Sequence, residues 1–390
     1  MNILFCNTSN VSEIKGGTER ITARISKGLT EKGHRCFLAY KTEIDTSLPI
    51  TKFVASVNVT KESLEDFILV NEINAIIVQK MTRDVKKMYA IREKHGLKFM
   101  ILTVLHFNPG YEELSATFKS FYTGLAHFSC ISEYVKDVIR TSVYPLYKLF
   151  YPLRNKELYR TVYRYSDKVI LLSDSFIREY VDYAGLKDLS KFYVIPNALS
   201  YSDFLKNEDL DKKSNQVLIV SRMEETPKRI SIALKVWKSV EEDEAFADWN
   251  MVIVGTGKDL EDYKRLQASL NLRRVDFVGR QQPQEYYKQS KIFLMTSACE
   301  GWGLTLTEAQ QFGCVPIAFN SYQSVYDIID NTKNGYIIED GNLKEYSNKL
   351  KKLMLSNTLR RNMAIEAIES SKRFQLYRVI EKWETLLKNK

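Results

Sequence analysis

The sequence predicts an α/β protein of two domains, each with a parallel sheet wound on both faces by helices. The chain has 390 residues, which is too long for one ordinary hydrophobic core and suits two domains. Short apolar segments alternate with helix-like segments in two successive series, and this alternation is typical of parallel sheets. Between the series, residues 197–215 contain no long apolar run and are enriched in Lys, Asp, Asn and Ser, so we interpret them as a linker.

The first series begins with an apolar strand over residues 2–6 and a glycine-bearing loop. We predict a helix next, over about residues 18–32, because Ile21, Ile25 and Leu29 lie on one helical face. Further strands are expected where short apolar runs recur, at residues 36–40, 75–78, 99–105, 169–172 and 193–195.

The second series begins with an apolar strand at residues 217–220 and a helix over residues 230–240. Its later strands are expected at residues 251–254, 275–278, 292–295, 315–319 and 336–338. Three helices are expected near the end, at residues 343–354, about 359–370 and 375–387.

The composition is that of a folded protein, with 44% hydrophobic and 12% aromatic residues. No apolar run approaches the roughly 18–20 residues of a membrane-spanning helix, and the first residues lack the basic lead of a secretory signal peptide. The dispersed cysteines lack metal-binding spacing, which favours a reducing cytosol. They are Cys6, Cys36, Cys130, Cys299 and Cys314. We therefore expect a cytoplasmic protein, either soluble or on a membrane surface.

The most informative segment covers residues 299–319. A predicted strand leads to Glu300 in a glycine-bearing turn, and a helix over residues 304–312 then carries Glu308 and ends at Gly313. Ligands of open α/β sheets bind beyond the carboxyl ends of the strands. Two carboxylates there can accept hydroxyl groups of a sugar or a ribose. Taken alone, the spacing also fits an ordinary turn Glu and a solvated helix Glu.

Two cations follow the first strand of the second series. Arg222 comes directly after the strand, and Lys228 stands six residues further on, just before a helix. Both can face one crevice and stabilise a phosphate group that leaves with its charge. The alternative is a pair of ordinary surface cations.

Two glycine turns and one histidine follow predicted strands. Gly16 and Gly17 precede a helix, and glycines allow backbone amides to approach a phosphate closely. Gly255 opens a turn that is not G-x-G-x-x-G, which argues against dinucleotide binding. His106 ends a strand, where its imidazole can orient a hydroxyl group. A structural turn is the alternative for Gly16 and Gly17, and a structural histidine is the alternative for His106.

In this order, these features resemble the retaining, family 4-like glycosyltransferases of the GT-B fold. The E-x7-E signature of that family is similar to the spacing of Glu300 and Glu308, and the matches extend over nearly all of the chain. The other matching segments are residues 16–19, His106, residues 196–197, residues 221–222, residues 228–229 and residues 255–257. Two departures are Ser221, where the family usually has Gly, and residues 320–325, which lack its glycine-rich turn and Glu.

The resemblance implies two Rossmann-like domains that face a central cleft. Residues 1–199 would form an acceptor-binding domain with a basic aromatic helical insert at about residues 110–165. Residues 200–371 would bind the nucleotide sugar, and the helix at residues 372–390 would cross back to the first domain.

The resemblance also implies roles for individual residues. Arg222 and Lys228 would hold the leaving diphosphate, with Gly16 and Gly17 beneath it, and His106 would orient the donor's primary hydroxyl or the acceptor. Glu308 would bind the ribose and Glu300 the donor sugar. The other implied donor-binding groups are the turn at Gly255, Arg280 near the base, and the backbone amides of Gly301, Trp302, Gly303 and Leu304.

The implied function is transfer of a hexose from a nucleotide-diphosphate donor, with UDP favoured over GDP, to a sugar or lipid-linked saccharide. The anomeric configuration would be retained, in the assembly of a cell-surface polysaccharide. We expect no cofactor and no metal, because no His/Cys cluster is present and the two cations supply the positive charge. Two alternatives are a nucleotide-sugar 2-epimerase of the same architecture and a non-catalytic membrane-surface module.

A basic and aromatic segment predicts an anionic partner. Residues 118–165 hold eight basic and three acidic residues, a net +5 of the chain's +9. Lys156, Arg160 and Arg164 share one helical face, with Tyr159 and Tyr163 beside them. This pattern favours an interfacial helix on the inner face of the cell membrane. A helix that packs its Tyr residues on the first domain is the alternative, and no nucleic-acid motif is present.

Overall fold

The computed structural model describes residues 1–13, 16–43, 49–110 and 144–388. The chain divides into two compact units, Met1–Ile195 and Pro196–Lys390. Each unit is built on one parallel β-sheet with α-helices between its strands, so the expected α/β class with two such sheets is confirmed. Packing of residues 372–390 on the first domain stays a prediction, and Cys130 and residues 118–143 of the basic segment lie outside the described residues.

The first unit has a seven-stranded sheet with the order β3-β2-β1-β4-β5-β6-β7. Its strands are β1 (Asn2–Cys6), β2 (Arg35–Tyr40), β3 (Ser56–Asn58), β4 (Ala75–Val78), β5 (Met100–Val104), β6 (Lys168–Leu171) and β7 (Phe192–Val194). Its helices are α1 (Gly17–Glu31), α2 (Leu64–Val70), α3 (Val85–Lys94), α4 (Tyr144–Tyr165) and α5 (Ser175–Ala184). The strand order reverses between β1 and β4, which makes the carboxyl ends of these strands the expected ligand site of this unit.

The second unit has a six-stranded sheet with the order β10-β9-β8-β11-β12-β13. Its strands are β8 (Ser214–Val220), β9 (Asn250–Val254), β10 (Val275–Gly279), β11 (Ser290–Met295), β12 (Val315–Phe319) and β13 (Tyr336–Ile338). Its helices are α6 (Glu225–Lys228), α7 (Ile230–Glu241), α8 (Leu260–Ser269), α9 (Gln284–Gln289), α10 (Leu304–Gln311), α11 (Val325–Ile328), α12 (Leu343–Leu355), α13 (Asn357–Ser371) and α14 (Leu376–Lys388). Here the strand order reverses between β8 and β11.

Two segments with few apolar residues form regular secondary structure that the sequence did not predict. The interpretation of residues 197–215 as a linker is wrong at its carboxyl end, because a short 3₁₀ helix (Asn207–Lys212) and the start of β8 lie there. The edge strand β3 was not predicted, since its three residues carry a single apolar side chain, Val57.

Lys213 is buried in the second unit, where hydrogen bonds compensate for its loss of solvent. Its Nζ donates hydrogen bonds to the carbonyl oxygens of Tyr287 at 3.0 Å and Phe312 at 2.6 Å, and burial lowers the pKa of this ammonium group. These carbonyls belong to the ends of α9 and α10, where a positive charge is favourable. Lys213 therefore fixes the carboxyl end of the helix that carries Glu308.

Helix α10 ends as the sequence predicts. Gly313 has φ +66° and its amide bonds to the carbonyl oxygen of Gln310 at 2.9 Å, the left-handed conformation that commonly ends a helix. Among the described helices, none has the length and hydropathy needed to cross a bilayer.

Replacing Gly313 by Ala is expected to lower the free energy of unfolding by about 2 kcal/mol, from left-handed strain and overpacking. The new Cβ would stand 2.6 Å from Leu210 Cδ2. Gly341→Ala is the matched control, because its φ is +83° but nothing lies within 4 Å of the added Cβ. We expect this control to cost about 1 kcal/mol in urea unfolding. Equal losses in the two variants would show that the contact at Leu210 relaxes freely.

Candidate active site

The candidate site of the second unit lies where its strand order reverses. Strands β8 and β11 are hydrogen-bonded neighbours. Arg222 follows β8, Lys228 ends α6, and Glu300 lies in the loop after β11. The structure therefore brings three of the predicted residues to one sheet edge, the edge at which doubly wound sheets bind ligands.

Lys228 and Glu300 form an ion pair at this edge. Lys228 Nζ lies 2.5 Å from Glu300 Oε1, and the two side chains are only 17% and 13% exposed. Ser297 Oγ donates a second hydrogen bond to the same carboxylate oxygen at 2.7 Å. The sequence placed the two charges in separate roles. Their direct contact was not predicted because 72 residues separate them.

Arg222 is more exposed than Lys228 and pairs with a different carboxylate. Its side chain is 62% exposed, and its Nη1 lies 3.0 Å from Glu224 Oε1. The Arg222 loop rests on the turn at Gly255, since a Cβ there would lie 1.8 Å from the carbonyl oxygen of Ser221. Gly255 was predicted to line the nucleotide site. In the structure its lack of a side chain also allows the Arg222 loop to pack.

Arg229 was quoted only as part of a matching segment, yet it connects three loops of the site. It adopts a left-handed conformation, with φ 49° and ψ 44°. Its Nη2 lies 2.6 Å from Asp340 Oδ1 and donates to the carbonyl oxygen of Ser297 at 3.0 Å, and its Nε donates to that of Thr296 at 2.8 Å. Arg229 thereby fixes the backbone beside Lys228 to the loop that leads to Glu300. A bidentate pair across 111 residues leaves no local sequence signal.

The loop between Glu300 and α10 presents its backbone. Gly303 has φ +88° and is the N-cap residue of α10, so the amides of Gly301, Trp302, Gly303 and Leu304 lie at a helix start, where N–H groups lack helical partners. The Trp302 side chain is buried against Phe374, with ring centroids 5.1 Å apart. The side chain of Trp302 is therefore covered, and the role of its backbone amide in donor binding stays a prediction.

Glu308 is fully buried, so the alternative of a solvated helix residue is wrong. Ser200 Oγ donates to Glu308 Oε1, and Tyr287 Oη donates to Glu308 Oε2 at 2.9 Å. Both bonds come from hydroxyl groups, the kind of donor that a ribose carries. Arg280, predicted to lie near the base, is exposed directly after β10.

The first unit gathers its own predicted residues at the carboxyl edge of its sheet. Gly16 is the N-cap residue of α1, which begins at Gly17. Glu19, in the matching segment at residues 16–19, is buried and pairs with Lys80 at 2.6 Å. This contact was missed because Lys80 follows a different strand.

His106 lies at the same edge and bonds through Nε2 to Gln79 Oε1. Burial and the nearby Lys80 charge lower the pKa of His106 to about 3, against the opposing effect of Glu19. The imidazole is therefore neutral at physiological pH. It can orient a hydroxyl group but does not carry the positive charge of a general acid.

Helix α4 departs from the expected membrane-facing arrangement. Tyr159 and Tyr163 are buried, and Tyr159 packs on Tyr180 with centroids 4.8 Å apart. Their predicted position at a membrane interface is therefore wrong, because these rings pack within the first unit. Phe150 and Leu153 are exposed apolar residues of this helix, at 59% and 60%, and exposed arginines accompany them. The exposed arginines are Arg154, Arg160 and Arg164.

One ground for expecting no metal, that the sequence has no Asp-x-Asp run, is wrong, because Asp209 and Asp211 form such a run. Asp209 lies 2.7 Å from Lys212 Nζ, and Asp211 lies 3.3 Å from Arg361 Nε. Each carboxylate therefore faces a cation. Across the described ranges, no group of three or more His, Cys, Asp or Glu side chains is arranged to hold a metal ion.

Comparison with known proteins shows a similarity between the domain that holds this site and a described family. Residues 201–370 match the model of the family Glycosyl transferases group 1. The chain is 29% identical over 194 residues to an uncharacterized glycosyltransferase of Haemophilus influenzae, covering 49% of this chain and 53% of that protein. It is 27% identical over 233 residues to an amylovoran biosynthesis glycosyltransferase of Erwinia amylovora, covering 58% and 63%.

A third relative is the poly(ribitol-phosphate) alpha-N-acetylglucosaminyltransferase of Staphylococcus aureus, 27% identical over 205 residues, covering 51% of this chain and 41% of that protein. The chain thus spans less than two thirds of the length of each of these relatives.

Solved structures share the fold of the whole chain at low sequence identity. Anabaena HepE in complex with UDP has a TM-score of 0.73 and 16% identity, covering 99% of both chains. A Staphylococcus aureus TarM variant with UDP bound has a TM-score of 0.69 and 14% identity, covering 100% of both. Residues 201–370 are therefore similar to the Glycosyl transferases group 1 family, and the chain shares the GT-B fold of these solved structures.

Proposed function

We propose that this protein is a retaining glycosyltransferase that moves a hexose from a UDP-sugar to a saccharide or lipid-linked saccharide in cell-surface polysaccharide assembly. The ion pair of Lys228 with Glu300, beside Arg222 at the strand reversal of the matched domain, carries the proposal. HepE complexes with UDP and with UDP-glucose support UDP as the nucleotide. The relatives named for amylovoran biosynthesis and for poly(ribitol-phosphate) support the class of acceptor.

The two cations would stabilise the departing diphosphate. Arg222 is exposed enough to reach a ligand, and the Lys228 ammonium group already contacts one anion, Glu300. A bound diphosphate competes with Glu300 for Lys228. The Glu300 carboxylate is then free to accept hydroxyl groups of the donor sugar, while Arg222 meets the charge that grows as the bond breaks.

The proposed reaction proceeds by front-face attack. The bond between the anomeric carbon and the diphosphate oxygen breaks, and the acceptor oxygen bonds to that carbon on the same face. The acceptor proton passes to the departing phosphate oxygen, so no side-chain base is required. His106, held neutral by its low pKa, serves in this scheme to orient a hydroxyl group. Glu308 would exchange the Ser200 hydroxyl for one of the ribose.

UDP release with and without an acceptor separates this proposal from its alternatives. A transferase releases UDP in step with product, whereas a 2-epimerase converts the nucleotide sugar without acceptor-dependent release. A non-catalytic module releases none. The anomeric coupling constant of the product, read by proton NMR, tests retention. An inverted product would contradict the mechanism while leaving the transferase assignment in place.

Replacing Arg222 or Lys228 by Ala should lower kcat by about two to three powers of ten. The expected loss is about 2.7–4 kcal/mol of transition-state stabilisation, as for a removed oxyanion donor. Arg265→Ala on α8 is the matched control, because that side chain is also exposed. We expect Lys228→Ala, unlike Arg222→Ala, to lower Tm as well, since a poorly exposed Glu300 loses its cation. Rates like those of the parent in either variant would exclude the diphosphate role.

The proposed transferase needs no metal ion. Arg222 and Lys228 supply the charge that a divalent ion provides in other enzymes, and Asp209 and Asp211 are paired with cations. UDP release is therefore expected to continue at its full rate in excess chelator. Activity that disappears in chelator and returns with Mg²⁺ or Mn²⁺ would contradict this proposal.

The exposed face of α4 is proposed to bind an anionic membrane. Phe150 and Leu153 stand beside exposed arginines, and each cation near such a surface contributes about 1 kcal/mol, screened by salt. Arg154→Glu with Arg164→Glu should weaken sedimentation with phosphatidylglycerol vesicles by at least about 30-fold. Lys344→Glu with Lys352→Glu on α12 makes the same charge change on exposed residues of the second unit. If both double variants bind vesicles equally, α4 is not the contact.

A further inference from the structure

A cavity of about 170 Å³ lies inside the first unit. It is lined by Gln79, Lys80 and Thr82 after β4, by the end of β5 and the loop that follows it, by Val169 of β6, and by helices α4 and α5. None of the roles proposed above uses the side of the cavity formed by the helices. The volume is below the roughly 300 Å³ of a small-molecule site, so the cavity suits one substituent of a ligand rather than a whole saccharide.

The helical side of this cavity is apolar. Leu158, Tyr159 and Val162 of α4 and Tyr180 of α5 line it. Both tyrosine hydroxyls are engaged, because Tyr180 Oη donates to the carbonyl oxygen of Tyr159 at 2.8 Å and Tyr159 Oη accepts from the amide of Gly110 at 3.2 Å. The aromatic rings and aliphatic groups are therefore what this side offers to an occupant.

The opposite side of the cavity contains a buried amide with an unused donor. Gln79 is 2% exposed and lines the cavity, and its Oε1 is bonded to His106 Nε2. Within the described part of the chain, Gln79 Nε2 is buried and has no acceptor. A buried amide N–H without a partner is costly, and most such groups in native proteins are paired. The unpaired Gln79 Nε2 therefore indicates that an oxygen atom of a ligand accepts its hydrogen bond.

The remaining polar groups on that side exclude a charged occupant. The Lys80 ammonium group is neutralised by Glu19 at 2.6 Å, and His106 is neutral. Neither group offers a free positive charge to a carboxylate or phosphate, and burying an unpaired anion is strongly unfavourable. The cavity calls for an uncharged group with a strong hydrogen-bond acceptor and an apolar end.

We propose that this cavity binds the acylamino group of an N-acetylated sugar, with the carbonyl oxygen accepting from Gln79 Nε2. The methyl group would lie against the rings of Tyr159 and Tyr180. A hydroxyl group lacks the apolar end, and an alkyl chain leaves Gln79 unpaired. We take this sugar to be the acceptor, and that step rests on the proposed transferase function. Recognition of the acylamino group by the cavity does not depend on that function.

Titration of the full chain with two matched methyl glycosides, followed by NMR, tests the proposal. Methyl 2-acetamido-2-deoxyglucoside is expected to bind at least about three- to tenfold more tightly than methyl glucoside, the value of one hydrogen bond. Gln79→Glu keeps an acceptor for His106 but removes the donor, and should abolish this preference. Gln289→Glu, an exposed residue of α9, makes the same change elsewhere and should leave the preference intact.

Equal binding of the two glycosides, or a preference that survives in Gln79→Glu, would overturn the proposal. Tighter binding of octyl glucoside than of the acetamido sugar would instead assign the cavity to an alkyl chain. If Gln79→Glu fails to fold, Leu158→Phe, which reduces the cavity from its helical side, must remove the preference. UDP binding measured on the same samples tests the transferase separately. An acetamido preference without UDP binding keeps the cavity assignment and rejects the proposed reaction.

Discussion

The pairing of β8 with β11 is the constraint on which the candidate site depends. Ile292 and Phe293 of β11 lie in register with Val217 and Leu218 of β8, although a whole series of strands and helices separates them in the chain. Because both strands run in the same direction, the loops that follow them meet at one edge of the sheet. Lys228 and Glu300 can approach to 2.5 Å only through this pairing.

The site is held in place by backbone conformations that few residues adopt readily. Arg229 has a left-handed conformation that costs roughly 1–2 kcal/mol in a residue with a Cβ. Its contacts with Asp340 and with the carbonyl oxygens of Thr296 and Ser297 offset this strain. A fixed loop geometry matters for catalysis because charges that are already oriented need no reorganisation as the reaction proceeds.

Much of the fold could be predicted from the sequence, because strands of a parallel sheet are buried on both faces and appear as short apolar runs. The positions of Arg222, Lys228 and Glu300 at strand ends follow from the same runs. Periodicity showed that Tyr159 and Tyr163 fall near the cations of one helix, but it cannot show which face of a helix is covered. The contacts of Glu19 with Lys80 and of Arg229 with Asp340 join distant segments, so no local pattern reveals them.

The position of Tyr287 has a consequence for how this protein can change in evolution. The carbonyl oxygen of Tyr287 accepts from Lys213, and the hydroxyl group of the same Tyr287 donates to Glu308. The bond to Lys213 uses the backbone, so it does not depend on which side chain stands at position 287. The bond to Glu308 uses the side chain, so loss of either partner leaves a buried polar group of the other without this contact. Substitutions at positions 287 and 308 should therefore be strongly non-additive, and this pair forms an epistatic unit that restricts the order in which substitutions there can accumulate.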